Sequence, residues 1–211
     1  MKLLYCNILD LPLNIDPLRE TLPNSRQIKM DKYIQKDDQL RCLGAGLLLS
    51  YGLGEKYENY LSYNSYGKPI LDMASKKRHF NLSHSGNYVV LAINSQPIGV
   101  DVQKHEDGDY IAMSKISFHT AEQKYLSSCE NLQEAFYTFW TLKESYMKAV
   151  GMGFSLPPTS FIIDLTNKGP KLRVPNKYSL TLVPFHPKYT LAVCTKGDLP
   201  EINAELVEFI Y

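Results

Sequence analysis

The strand that organises this sequence reads Ile98-Gly99-Val100-Asp101-Val102-Gln103. Successive side chains of a strand point to opposite faces, so the β-branched residues are expected to face the core and Asp101 and Gln103 an exposed face. That polar face is suited to a cation, because Mg2+ takes one or two carboxylates besides water and substrate phosphates. An aspartate that merely ends a strand beside a loop is the alternative interpretation of this stretch.

A predicted helix about forty residues later carries a second polar set. It contains the run Phe139-Trp140-Thr141-Leu142-Lys143-Glu144-Ser145-Tyr146-Met147-Lys148. Glu144 and Lys148 are one helical turn apart and share a face. Such pairs are often only solvated helix-stabilising contacts. If the helix packs across the strand of Asp101, Glu144 supplies a second carboxylate for a cation and Lys148 a phosphate ligand.

The first half of the chain is predicted to contain one strand, a long helical region and a second, buried strand. Residues 2–9 favour a strand, and the spacing of apolar residues from Arg26 to Tyr51 predicts helix with a break near Lys36–Asp38. Asn24 or Ser25 is expected to cap the helix, and Gly52 and Gly54 to end it. The run Val89–Ile93 is typical of a buried strand, approached through a turn-rich segment, Asn81–Asn87.

The second half repeats this order. A mainly helical region is predicted from Tyr110 to Val150 and is expected to stop at Gly151 and Gly153. Strands are then expected at 161–165, 171–174, 178–183 and 189–194. The sequence therefore predicts an α+β protein of two similar halves, with the segment Ser95–Pro97 as the joint.

Two further polar segments are candidates for anion binding. The segment Phe80-Asn81-Leu82-Ser83-His84-Ser85-Gly86 is rich in hydrogen-bonding groups, although a turn capped by Asn and Ser side chains explains it equally well. Lys68, within Gly67-Lys68-Pro69, is either functional or only solvated. The same ambiguity holds for the basic residues of the first helical region, which are Arg26, Lys29, Lys36 and Arg41.

Bulk composition limits the possible partners and location. The 23 basic and 22 acidic residues nearly cancel, so no global field favours nucleic acid or an anionic membrane. The cysteines are expected to be reduced core thiols because they lack C-x-x-C spacing; they are Cys6, Cys42, Cys129 and Cys194. The sequence lacks the apolar run of a signal peptide or a membrane span, and a cytoplasmic location is expected.

Taken together and in this order, these segments resemble the 4'-phosphopantetheinyl transferase superfamily, in its larger single-chain branch typified by the surfactin-synthetase activating enzyme. The most specific marker is Ile98–Asp101 followed by the run Trp140–Lys148. The resemblance implies two α+β halves related by a pseudo-twofold axis, residues 1–96 and 97–211, with coenzyme A between them. It also implies magnesium-dependent transfer of phosphopantetheine from coenzyme A to a serine of an acyl, peptidyl or aryl carrier protein.

The resemblance assigns roles to individual residues. It implies magnesium ligands at Asp101, Gln103 and Glu144, and catalytic roles for Asp101, Glu144 and Lys148. Coenzyme A contacts are implied at Lys29, Gly67, Lys68, Pro69, Ser83, His84 and Lys148, with Arg26 and Arg41 as further candidates for its 3'-phosphate. Many relatives have a glutamate where this chain has Gln103, and a neutral amide is the weaker magnesium ligand.

Two other functions remain open at this level. A non-catalytic coenzyme A or nucleotide-binding module would keep the phosphate contacts, although intact Asp101, Glu144 and Lys148 count against it. A metal-dependent phosphodiester hydrolase would use water in place of the carrier serine. Two fused halves make a monomer sufficient, so a monomer is expected, and the sequence does not select one carrier among several pathways.

Overall fold

The computed structural model describes residues 1–73, 76–173 and 177–209. The helices are α1 (Asp16–Glu20), α2 (Asn24–Asp31), α3 (Lys36–Leu53), α4 (Tyr110–Ser117), α5 (Thr120–Ser127) and α6 (Leu132–Val150). The strands are β1 (Lys2–Asn7), β2 (Leu61–Tyr63), β3 (Pro69–Met73), β4 (Lys76–Ser85), β5 (Tyr88–Asn94), β6 (Ile98–Lys104), β7 (Ile163–Thr166), β8 (Gly169–Leu172), β9 (Tyr178–Val183), β10 (Tyr189–Lys196) and β11 (Ala204–Leu206).

The first sheet has the order β11-β1-β5-β4-β3-β2. All its pairs are antiparallel except β1 with β11, which are parallel. Helix α3 packs on β1 and β5, and the core between them includes Leu4, Leu48, Phe80 and Leu91, each at most 3% exposed. Strand β11 comes from the far end of the chain, so the C-terminal segment returns to the first half.

The second sheet is antiparallel and has the order β6-β10-β9, with β7 and β8 forming a separate hairpin. Helix α6 packs across β6 and β10. The two sheets meet through a further apolar cluster in which Val90 and Ala92 of the first contact Val100 and Val102 of the second. The predicted α+β architecture is confirmed, since each half places a long helix on an antiparallel sheet. The boundary at residues 96 and 97 stays a prediction.

The helix breaks differ from those expected. The break in the first helical region lies at residues 32–35, and α3 begins at Lys36. Residue Pro23 precedes α2 without a side-chain cap, so the expected capping by Asn24 or Ser25 is wrong. Gly52 does not end α3 but lies inside it, at a position where a side chain would collide with Leu91 and Ile93. Gly54 ends the helix.

Residues Asn81–Ser85 belong to strand β4 and not to the expected turn, which is confined to Gly86 and Asn87 between β4 and β5. Alternation explains the difference, because Phe80 and Leu82 pack on the core under α3 while the residues between them face β6. The four strands predicted after Gly151 are present; the one at 178–183 has the predicted ends and the other three have shifted ends. Val174, expected in the second of them, lies outside the described residues.

Candidate active site

Helix α6 contacts β6 directly because Gly99 lies at their crossing. A Cβ at Gly99 would overlap the backbone of Ser145 and Ala149. The helix therefore covers the strand face that carries Asp101, which is 1% exposed, and Gln103, which is half-buried. The expectation that this face is exposed is wrong, because the helix lies over it. The conditional prediction that the helix of Glu144 packs across this strand is confirmed.

The Asp101 carboxylate has a partner on each oxygen. Its Oδ1 forms an ion pair with Lys148 Nζ and accepts a hydrogen bond from Ser83 Oγ at 2.9 Å. Its Oδ2 accepts one from Gln103 Nε2 at 2.9 Å. Lys148 Nζ also donates to Ser83 Oγ at 3.2 Å. Side chains from β6, from α6 and from β4 of the first half therefore meet at the Asp101 carboxylate.

Glu144 lies beside this cluster without joining its hydrogen bonds. Within residues 1–73, 76–173 and 177–209, no hydrogen bond or ion pair engages its carboxylate. Burial raises the pKa of Glu144 above its ordinary value, the negative charge of Asp101 raises it further, and Lys148 opposes both. Two carboxylates thus share one lysine, and the excess negative charge favours a cation.

The donor chemistry of this site fits Mg2+. No cluster of three or more His, Cys, Asp and Glu side chains lies close enough to hold a metal among the described residues. Magnesium does not require one, because it binds through one or two carboxylates and fills its other positions with water and substrate phosphates. Asp101 and Glu144 supply the carboxylates. Gln103 donates from its amide nitrogen to Asp101. A 180° flip of the side-chain amide would place its oxygen there instead, where it could bind a cation.

A cavity of about 290 Å3 opens beside Glu144 and Lys148. Its lining residues come from both halves and are Tyr66, Gly67, Lys68, Pro69, Asn81, Glu144, Met147, Lys148, Gly151 and Gly153. The segment Gly67–Pro69 is thus brought next to Glu144 and Lys148. Lys68 is not merely solvated, because its ammonium donates to backbone carbonyls of β6 and α6.

Strands β4 and β6 are joined by a ladder of side chains that sequence reasoning missed. Asn81 Oδ1 accepts from the backbone N–H of Val100 at 2.8 Å. Ser83 Oγ accepts from Val102 N at 3.3 Å, and Ser85 Oγ from Lys104 N at 3.0 Å. The polar residues of the Asn81–Ser85 segment thus satisfy the free edge of β6. Their strict alternation with Leu82 and His84 was the signal that could have indicated a strand.

A second group of cations surrounds His84. The pKa of His84 is lowered, first by burial and then by the positive charges of Arg41, Lys148 and Lys29. Arg41 is itself engaged, donating to Gly86 O at 2.8 Å and to Asp38 Oδ1 at 2.6 Å, whereas Lys29 is exposed. Arg26 acts on the same region, since its charge and that of Lys29 lower a Cys42 pKa that burial raises.

Sequence reasoning gave Lys143 no role, yet it anchors α6. Lys143 Nζ contacts Glu122 Oε2 at 2.9 Å, with both side chains at most 1% exposed. It also donates to the carbonyls of Pro158 at 2.7 Å and Phe161 at 2.8 Å. Because a buried ammonium needs such partners, these bonds fix the rotation of α6 and hence the direction of Glu144. Lys143 stands four residues from both Phe139 and Met147, on the same helix face as these apolar side chains, which was the available signal.

Three of the four cysteines lie in the core, as expected, and Cys129 does not. All four cysteines are free thiols; Cys6, Cys42 and Cys194 are buried and Cys129 is partly exposed. Burial raises the pKa of Cys6 to about 12. Across the described ranges, no helix has the length and apolar character needed to span a bilayer.

Comparison with known proteins gives one family. A sequence model of the 4'-phosphopantetheinyl transferase superfamily matches residues 97–194, which include Asp101, Glu144 and Lys148. A 4'-phosphopantetheinyl transferase of Bacillus subtilis is 31% identical over 206 residues, covering 90% of this chain and 91% of that protein. The 4'-phosphopantetheinyl transferase Sfp of Bacillus subtilis (strain 168) is 32% identical over 192 residues, covering 85% and 84%.

One similar solved structure is a holo-(acyl-carrier-protein) synthase from Bacillus anthracis str. Ames in complex with CoA. The match covers 48% of this chain and 96% of that protein at 20% sequence identity. Its TM-score of 0.40 is too low to argue from. The sequence relatives suffice, because they are above 30% identical over most of both chains. This chain therefore belongs to the 4'-phosphopantetheinyl transferase superfamily and is an enzyme of that class, as its sequence predicted.

Proposed function

We propose that this chain transfers the 4'-phosphopantetheine arm of coenzyme A to a serine hydroxyl of a carrier protein, with Mg2+ bound by Asp101 and Glu144. The observation that carries the proposal is that Glu144 and Lys148 line a cavity bounded by Gly67–Pro69, while Lys148 also pairs with the buried carboxylate of Asp101. Of the cations that act on His84, Arg41 and Lys29 stand on the other half of the chain and supply a second anion site. Coenzyme A carries both a pyrophosphate and a 3'-phosphate, which matches two separate cationic sites.

Binding and orientation come first in the mechanism. Lys148, Ser83 and His84 bind the pyrophosphate, and Lys29, His84 and the candidates Arg26 and Arg41 bind the 3'-phosphate. The adenine lies against Gly67, Lys68 and Pro69. A bound Mg2+, held by Asp101 and Glu144 with Gln103 direct or through water, supplies positive charge against the pyrophosphate oxygens.

The chemical step exchanges one phosphorus–oxygen bond for another. The serine oxygen forms a bond to the phosphorus of the phosphopantetheine arm, and the bond to the bridging oxygen breaks, which releases adenosine 3',5'-bisphosphate. Glu144 takes the serine proton, preferably through a water, because a carboxylate that also binds metal is a weaker base. Its raised pKa and free carboxylate support this role. Lys148 offsets charge on the phosphate oxygens.

Mass spectrometry against a panel of purified apo carrier proteins tests the proposal. Addition of the phosphopantetheine mass to one carrier, dependent on coenzyme A and Mg2+, is the expected result. Release of free phosphopantetheine without any carrier would instead make the chain a phosphodiester hydrolase. Binding of coenzyme A with neither product would make it a binding module. The same panel identifies the carrier.

We also propose that the enzyme acts as a monomer in the cytoplasm. The cavity is lined from both halves of the chain, so Gly67–Pro69 meet Glu144 and Lys148 without a second subunit. Sedimentation at the concentration used for the activity assay measures the oligomeric state. A dimer there would contradict the proposal.

The Gln103→Glu variant is expected to remain active and to need less Mg2+ for half-maximal rate. Gln103 lies two residues beyond Asp101 on the same face and reaches its carboxylate. An added anionic ligand strengthens attraction for the ion. The magnesium dependence of the transfer rate measures the effect, with Gln96→Glu, the same charge change on an exposed loop, as control. An unchanged magnesium requirement would place Gln103 outside the coordination shell.

Changing Lys29 or His84 to alanine is expected to weaken coenzyme A much more than 3'-dephospho-coenzyme A. The two ligands differ only at the 3'-phosphate. A charge-assisted hydrogen bond contributes roughly 1.5 to 3 kcal/mol, so the Kd for coenzyme A should rise about tenfold to a hundredfold. Calorimetric titration of both ligands measures it, with Lys32→Ala, an exposed lysine of the same segment, as control. Equal weakening of both ligands would assign these residues to the pyrophosphate or to folding.

A further inference from the structure

Lys68 lines the cavity, and its ammonium is bound by three backbone carbonyls of the second half. Lys68 Nζ donates to the carbonyl oxygens of Lys148 at 2.6 Å, of Ile98 at 2.9 Å and of Ala149 at 3.3 Å. Two of these acceptors belong to the last turn of α6 and the third to the first residue of β6. One side chain of the first half thus holds the helix and the strand of the second half together.

The carbonyl oxygens of Lys148 and Ala149 lie at the C-terminal end of α6, where a cation is favourable. The last carbonyls of a helix have no partner within the helix and carry the negative end of its dipole. An ammonium has three N–H groups, which match the three carbonyls. Burial lowers the pKa of Lys68 to about 8, so the charged form still predominates about tenfold at pH 7.

Asn64 makes a second bond to the same helix end. Its Nδ2 donates to Gly151 O at 2.8 Å, and its Oδ1 accepts from the backbone N–H of Lys68 at 2.8 Å and of Tyr66 at 2.9 Å. Gly151 has the left-handed conformation, with φ of 79°, and a Cβ there would come within 2.7 Å of Lys68 Cδ. The turn from Asn64 to Lys68 therefore fits closely around the end of α6.

This contact lies next to the residues assigned to the chemistry. Lys148 supplies one of the carbonyls through its backbone and pairs with Asp101 through its side chain. Glu144 is one turn earlier on the same helix. Displacing the end of α6 would therefore move both side chains relative to Asp101, whose strand is held by the bond from Lys68 to Ile98.

We propose that Lys68 is a positioning residue whose ammonium fixes the end of α6 against β6, and so holds Glu144 and Lys148 opposite Asp101, without binding coenzyme A through that group. The inference rests on the roles proposed above for Glu144 and Lys148. It gives one residue two functions: Lys68 borders the cavity as part of Gly67–Pro69, and its ammonium orders the catalytic helix.

Steady-state kinetics with Lys68→Met, which keeps the chain length and removes the donors, tests the proposal. We expect kcat to fall about tenfold to a hundredfold, because small displacements of reacting groups have effects of that size. The Kd for adenosine 3',5'-bisphosphate should stay within about threefold of the wild-type value. Lys68→Arg should restore part of kcat, and Lys171→Met, a change at an exposed lysine, should alter neither. A Kd raised about tenfold with unchanged kcat would make the ammonium a coenzyme A ligand and overturn the proposal.

Hydrogen exchange of the intact chain provides a readout that needs no activity. In Lys68→Met, amides of residues 147–151 should exchange at least about tenfold faster while the first turns of α6 keep their rates. If that variant does not fold, Asn64→Ala removes the bond to Gly151 O and should give a smaller change at the same amides. Unchanged exchange there would overturn the positioning role. If the wild type transfers nothing to any carrier, the proposed function fails, and the exchange result still decides what Lys68 does.

Discussion

Replacing Glu144 by glutamine is expected to lower kcat for carrier modification by about a hundredfold to ten-thousandfold, the range lost with a general base. Glutamine has the same shape but does not accept the serine proton. Among the described residues the Glu144 carboxylate has no hydrogen-bond partner, so the change breaks no existing contact. The Kd for adenosine 3',5'-bisphosphate, measured without Mg2+, should change little.

The pH dependence distinguishes a base from a structural carboxylate. Burial and Asp101 raise the pKa of Glu144, so the folded protein favours its neutral form and loses stability as pH rises through that pKa. Glutamine mimics the neutral acid and is not expected to lower Tm at neutral pH. The ionised form is the active base, so the rate should fall as pH falls through the pKa of Glu144, and more Mg2+ should move that fall to lower pH because a bound cation lowers the pKa. Glu134→Gln, at an exposed position on α6, is the control.

Two outcomes would contradict this assignment. A kcat within a fewfold of wild type would mean that another group accepts the proton. A loss of rate that excess Mg2+ restores would mean that Glu144 serves only as a metal ligand. Single-turnover measurements across a magnesium series separate these results, since they report chemistry without product release.

The sequence predicted the elements of the site well because their signals are local. Alternation identified the strand of Asp101, and the spacing of Glu144 and Lys148 placed both on one helix face. The burial of Asp101 was not predictable in this way, because it depends on a helix that follows far along the chain. The sequence alone does not explain Gly99. The structure does, because α6 crosses the strand at a distance that leaves no room for a Cβ there.

The Asn81–Ser85 segment shows a second reason why prediction from the sequence fails. Asn and Ser side chains commonly bond their own backbone in turns, and that local rule predicted a turn. Here they bond the backbone of β6, a partner in the other half. Lys68 is similar, since its acceptors lie in β6 and α6. Residues whose partners come from a distant segment are therefore the ones that sequence patterns left ambiguous.

Replacing Asp101 is expected to abolish transfer, and its burial changes what the variants should do to stability. Asp101→Ala leaves Lys148 and Ser83 without their shared acceptor and creates a void at a position 1% exposed. The free energy of unfolding should fall by about 1 to 3 kcal/mol, as for other lost buried hydrogen bonds to charged groups. Asp101→Asn keeps the volume and removes the charge, so it should retain more stability with the same loss of transfer. Asp164→Asn, at a more exposed ion pair with Arg173, is the control.

A double-mutant cycle with Lys148→Met separates the two functions of Asp101. In Asp101→Ala the unpaired ammonium accounts for part of the lost stability, so adding Lys148→Met should restore some of it. It should not restore transfer, because the site then lacks both the carboxylate for magnesium and the lysine for phosphate. Thermal unfolding and carrier modification, measured on all four proteins, give the two coupling energies. Recovery of transfer in the double variant would mean that Asp101 only neutralises the Lys148 charge and that neither residue is needed for transfer, and the metal assignment would be wrong.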